Sequence, residues 1–317
     1  MEDRKSLRRF YSDSFIFFMV MLAIVVYLDY LSIQGPWGYL MAKYTNSWEY
    51  YTVNAGPEEI NPYIEKVRKQ DGTTKLIIGD SVCCQIFNDL QKYNSDIAIA
   101  GTNGAVSMAG QYILTKEYLE NHPDATDVFL IVLPESFWQA FDTKWGYQYT
   151  VMPFVETNTL RYLDEDTLRI MESVYGSLFM KKDVVELIDN SPVNRKIYLN
   201  LLQQYSQGYN MKHFDLADRY VTKIDEMCND KKVSFHLYPG PVSDAKKDLC
   251  IEYYKEFIDS AIYHINPQFF DDIYFYPAEQ AADGFHFSGE YANREHFNSI
   301  INEMLKDTEL QHMLRMD

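Results

Sequence analysis

Short apolar runs, separated by polar and helically patterned stretches, set the rhythm of this chain from about residue 73 onward. Four of them, Lys75–Gly79 (KLIIG), Asp96–Ala100 (DIAIA), Asp127–Leu133 (DVFLIVL) and Val233–Tyr238 (VSFHLY), are bounded by Gly, Pro, Asp or Asn. Brief runs of β-branched and aromatic residues with such boundaries read as strands. Their near-continuous apolar character predicts a parallel sheet covered on both faces. Helical patterning near 82–92, 105–121, 248–264 and 288–306 alternates with them. That alternation predicts an α/β fold, a three-layer α/β/α sandwich. Ligands in such open sheets bind beyond the carboxyl ends of the strands. Residues 140–230 break the rhythm with helical patterns around 164–189, 192–206 and 214–228, and are expected to form a helical insertion between the third and fourth strands. Residues 34–72 form a linker and a lead-in helix near 57–70, so the α/β domain is expected over 73–310.

The N-terminal pattern is different. Phe15 to Leu28 is uninterrupted by charge and extends to about Ile33 if Asp29, Tyr30 and Ser32 lie at an interface. A bilayer-spanning helix needs roughly 20 such residues. Arg4, Lys5, Arg8 and Arg9 precede the run, which favours a cytoplasmic N-terminus. The expectation is a cytoplasmic segment 1–13, a transmembrane anchor 14–33 and an extracytoplasmic remainder in the cell membrane. A cleaved signal peptide and a buried helix are the alternatives; no A-x-A-like site follows the run.

Composition narrows the field. A formal net charge of −17 repels phosphate backbones, so no nucleic-acid partner is expected. The four cysteines, Cys83, Cys84, Cys228 and Cys250, show no metal-ligand spacing, and neither do His213, His236, His264 and His296; no metal and no cofactor are expected. A Cys228–Cys250 disulfide and four buried free thiols both remain open.

Two short motifs carry chemistry. Gly79-Asp80-Ser81 directly follows the first strand and precedes a helix. A serine at that turn exposes its oxygen at the sheet's carboxyl edge, beside backbone N–H groups suited to an oxyanion. Asp283-Gly284-Phe285-His286 lies near the C-terminus. Histidine moves protons near neutral pH, and an Asp three residues earlier can hold its ring in one tautomer. An ordinary capped turn would explain either motif alone. His236, just before Pro239-Gly240-Pro241, is a further candidate for the site's edge, and Trp138–Tyr149 is an aromatic stretch suited to sugar stacking or to core packing.

In this order the two motifs resemble the SGNH (GDSL-like) hydrolase superfamily. Ile99-Ala100-Gly101-Thr102-Asn103-Gly104 matches the family's second block, which implies that Gly104 donates an N–H to the oxyanion together with Ser81. The family's third block normally supplies an Asn; here the chain reads Leu133-Pro134-Glu135-Ser136-Phe137-Trp138, and Ser136 is the substitute donor. An ionised Glu135 would repel an oxyanion. This block is similar to the membrane-anchored branch that includes the D-alanyl-lipoteichoic acid biosynthesis protein and exopolysaccharide O-acyltransferases. The resemblance implies a serine esterase or O-acyltransferase acting on a cell-surface glycan or acylated polymer, with Ser81, Asp283 and His286 as triad. It also implies a membrane-bound O-acyltransferase as partner. The alternative is a non-catalytic accessory subunit of such a system.

Overall fold

The computed structural model describes residues 11, 13–25, 27, 60–102, 107–141, 146–189, 198, 213–306 and 308–314. Helix α1 (Asn61–Arg68) leads into strand β1 (Lys75–Gly79), helix α2 (Ser81–Phe87), strand β2 (Ile97–Gly101), helix α3 (Met108–Asn121) and strand β3 (Asp127–Val132). Helices α4 (Glu165–Tyr175), α5 (Lys182–Asp189) and α6 (His213–Lys231) then precede strand β4 (Ser234–Pro239). A two-residue strand β5 (Val242–Ser243), helix α7 (Lys247–Phe257), strand β6 (Phe275–Tyr276) and helices α8 (Arg294–Met304) and α9 (Glu309–Leu314) complete the chain.

The four longer strands form a parallel sheet in the order β2-β1-β3-β4. All described residues of β1 after Lys75, and all of β2 and β3, are buried, because helices pack on both faces. Leu76, Ile78, Val128 and Leu130 join one apolar cluster with residues of α1, α3 and α6. Ile77, Ile99, Phe129 and Ile131 join a second with residues of α2, α8 and α9. Alternate strand residues thus supply two cores, as a period of two requires. Between β3 and β4 the described residues carry helices and no strand; the expected helix over 192–206 lies outside the described residues except for Tyr198.

Chain order explains where a site belongs. β1 connects outward to β2, and the chain then crosses back over β1 to β3, so the sheet reverses direction beside β1. Open α/β sheets form a crevice at the strands' carboxyl ends at such a point. Gly79 is what lets this edge close: a Cβ there would lie 1.9 Å from the Ile131 carbonyl oxygen. Gly101 does the same for α2, since its Cβ would meet the Cys84 nitrogen at 2.6 Å.

Two expectations need correction or restriction. Residues 13–25 are helical, with Phe15, Phe17 and Phe18 more than half exposed, but among the described residues no helix is long and apolar enough to cross a membrane. Residues 28–33 of the expected anchor, and 34–59 of the linker, lie outside the described residues. The four cysteines are free thiols. Cys228 packs in one core cluster and Cys250 in the other, on opposite faces of the sheet, so they do not pair.

Candidate active site

Ser81 is the first residue of α2, and Asp80 caps that helix by accepting from the N–H groups of Val82 and Cys83 at 3.0 and 3.4 Å. The Ser81 N–H itself has no partner among the described residues, as expected for a first-turn donor. The second oxygen of Asp80 reaches across the sheet and accepts from the Leu133 N–H and the Ser136 hydroxyl, both at 2.6 Å. Four donors therefore hold one carboxyl group beside the serine. Burial pushes that carboxyl above the usual carboxylate range, against the opposing pull of the same four hydrogen bonds.

Asp283 to His286 form a tight turn. Asp283 Oδ1 accepts from the N–H groups of Phe285 and His286 at 3.0 and 2.8 Å. Gly284 sits at φ +92, which only glycine adopts without strain. The turn is clipped at its base by an Ala281–Phe287 bridge and by Tyr276, whose hydroxyl donates to the Phe285 carbonyl at 2.8 Å. The Asp283 Oδ2 atom then meets His286 Nδ1 at 2.7 Å, and His286 Nε2 meets Ser81 Oγ at 2.7 Å. Both distances lie within hydrogen-bond reach, and their order is that of a nucleophile, a base and an orienting carboxylate. Partial burial would raise the Asp283 carboxyl, but hydrogen bonds from His286 and Phe285 outweigh it and hold that carboxyl below its usual range.

What brings the two motifs together is Gln85, which the sequence reading did not single out. One turn after Ser81, its side-chain NH₂ donates to the Phe287 carbonyl at 2.9 Å and its oxygen accepts from the Phe287 N–H at 3.0 Å. The i, i+4 spacing from Ser81 places Gln85 on the same helix face, but its partner could not be read from spacing.

Asp80, Ser81, Thr102, Leu133, Glu135 and His286 are among the residues lining an open cleft of ≈ 280 Å³. Glu135 is half-buried there, and its carboxyl is raised by burial and by the nearby negative charges of Asp80 and Asp283, against the pull of Lys246 and His286. Lys246 lies over the Phe285 ring, its Nζ 4.6 Å from the centroid.

Other expected site residues fall elsewhere. Ser136 lines the cleft, but a hydroxyl has one proton and this one is engaged by Asp80. In this arrangement Ser136 steadies the cap of α2 and does not offer a donor to an oxyanion. Gly104 lies outside the described residues. His236 is not at the cleft: it pairs with Phe129 in mid-sheet and contacts Asp127 at the opposite end of β3. Trp138 stacks on Tyr253 at 4.0 Å, and Tyr147 and Tyr149 are buried, so these aromatics serve packing. The Cys83 thiol, buried next to Asp80, is pushed well up by burial, which keeps it protonated and unsuited to nucleophilic attack. No family model matches the chain, and no curated protein or solved structure matches it significantly.

Proposed function

We propose that the protein is a serine-dependent acyl-transfer enzyme of the SGNH-like type, an esterase or O-acyltransferase working through an acyl-enzyme at Ser81. The observation that carries this reading is the unbroken chain Asp283–His286–Ser81, with two contacts of 2.7 Å. Its position at the sheet's reversal point, in an open cleft, supports it further.

In the proposed reaction Ser81 Oγ attacks an ester or thioester carbonyl carbon while its proton passes to His286 Nε2. Asp283 keeps the imidazole in the tautomer that accepts at Nε2 and stabilises the resulting imidazolium. Among the described residues the Ser81 N–H has no acceptor, and it suits the developing oxyanion, with Gly104 as the proposed second donor. Collapse breaks the bond to the alcohol or thiol, which leaves with the proton from His286. Water or a sugar hydroxyl then gives its proton to His286 and forms a bond to the acyl carbon; the bond to Ser81 Oγ breaks as His286 returns the proton to it, yielding an acid or a new ester.

The proposed acceptor is a cell-surface glycan or polymer, and the proposed location is the outer face of the membrane, held by residues 14–33. The exposed apolar side chains of residues 15–25 favour insertion into an apolar phase. A membrane-bound O-acyltransferase partner would supply the acyl group, since an enzyme outside the cytoplasm has no access to cytoplasmic acyl thioesters.

A fluorophosphonate probe tests the catalytic reading directly, because only an activated serine labels quickly. Rapid labelling that disappears in Ser81→Ala supports the proposal. No labelling of the folded protein would sink it and leave the accessory-subunit reading in its place.

A further inference from the structure

A second cluster of functional side chains lies at the end of the sheet away from the cleft. Asp127 opens β3, and the six residues to Leu133 put it roughly 20 Å from the catalytic edge. Its side chain is 10% exposed, and its Oδ1 lies 3.1 Å from His236 Nε2. Thr126 donates to the other oxygen at 2.7 Å, and the His236 ring is held flat against Phe129, centroids 4.6 Å apart and planes 11° from parallel. Glu309, the first residue of α9, brings a second carboxylate. One ligand atom from each of the three residues lies within 4.8 Å of the others. Among the described residues neither carboxylate pairs with a lysine or arginine.

We propose that Asp127, His236 and Glu309 bind a divalent transition metal of the zinc class, tying the last helix to the edge of the sheet. Two carboxylates and a neutral imidazole carry a charge of −2, which a divalent ion cancels. The imidazole nitrogen selects zinc-class metals over magnesium or calcium, which take oxygen ligands. Zinc bonds of about 2.0–2.2 Å put tetrahedral ligand atoms about 3.3 Å apart. The Asp127–His236 pair already has that spacing. Glu309, exposed at a helix start, has the side-chain freedom to close the remaining distance. Thr126 and Phe129 supply the outer contacts that orient ligands in such sites. Three protein ligands leave a fourth position to water.

The test is a titration of the chelator-treated full chain with Zn²⁺ by calorimetry, and with Co²⁺ by visible absorption. One saturable site is expected. His236→Ala and Glu309→Gln should each weaken it by roughly tenfold or more, while His286→Ala, which dismantles the His–carboxylate pair at the cleft, should leave it unchanged. Glu309→Gln changes an exposed side chain and so keeps the test clear of folding failure. Absence of a saturable site, or an affinity unaltered in both ligand variants, would overturn the proposal and leave a plain His–Asp hydrogen bond.

Discussion

Gln85 and Phe287 exchange two hydrogen bonds, amide to backbone in both directions, and so fasten the helix that starts at Ser81 to the residue that follows His286. The pair spans 202 positions of the chain. Replacing Gln85 with Leu removes both bonds and lets the His286 turn shift relative to Ser81. A displacement of about 1 Å in a catalytic constellation costs on the order of 100-fold, so kcat for a model ester should fall by roughly that much with little change in KM. Gln85→Glu keeps the acceptor for the Phe287 N–H and should fall between the two. Equal fluorophosphonate labelling rates in the parent and Gln85→Leu would show that the clamp does not position the base.

Asp283→Asn preserves shape but removes the charge that fixes the His286 tautomer, and should lower kcat by about 10⁴-fold. The same variant tests a stability effect. The Asp283 carboxyl is held below its usual range in the folded protein, so the unfolded chain binds its proton more readily. Its stabilising contribution is present above the unfolded carboxylate pKa of about 3.9 and is lost as the pH falls through the folded value. Melting temperature followed from neutral pH downward should fall less steeply below about pH 4 in Asp283→Asn than in the parent. The difference should be small, because Asp283 is more than half exposed and water screens the interaction.

Asp80→Asn keeps an acceptor for the start of α2 but turns an NH₂ group toward the Leu133 N–H and the Ser136 hydroxyl. The Leu133 N–H then loses its acceptor, at about 1–3 kcal/mol for a buried group left unsatisfied, while the Ser136 hydroxyl can turn to accept from the new NH₂. Chemical denaturation should show a clear loss of stability, and the labelling rate of Ser81 should drop as its helix start loosens. Ser136→Ala removes one of these bonds and should cost less. If Ser136→Ala abolishes turnover while leaving stability intact, the hydroxyl acts on substrate and not on Asp80.

Gly79→Ala drives a methyl group to 1.9 Å from the Ile131 carbonyl oxygen. Backbone cannot yield there without parting β1 from β3, so the loss should reach or exceed about 3 kcal/mol, the upper end for overpacking. Gly289→Ala is the control: nothing lies within 4 Å of its added Cβ, and its melting temperature should match the parent.

Removal of residues 1–33 tests the proposed anchor separately from the chemistry. The full chain should sediment with membranes through an alkaline carbonate wash, and the truncated protein should appear in the soluble fraction with its Ser81 labelling intact. A full chain that is soluble without detergent would rule out the anchor while leaving the active-site proposal standing.

Much of the architecture was legible locally. The strand candidates match β1 to β4 to within one residue at each end, because runs such as KLIIG and DVFLIV are buried on both faces and bounded by turn-forming residues. The helical stretches expected over 105–121, 248–264 and 288–306 overshoot α3, by three residues at its start, α7, by seven at its end, and α8, by six at its start and two at its end; capping residues such as Asn293 set the start of α8 within a stretch whose pattern begins earlier. The order of Gly79-Asp80-Ser81 and Asp283-Gly284-Phe285-His286 also followed from the chain alone. Each of these features depends on neighbours a few residues apart. What only the tertiary structure decided depends on distant segments meeting: Gln85 on Phe287, the Ser136 proton on Asp80, and His236 beside Asp127 and Glu309 instead of at the cleft. Strand order and helix packing set those encounters, and residue spacing along a chain carries no record of which edge of a sheet a side chain will face when the sheet is assembled.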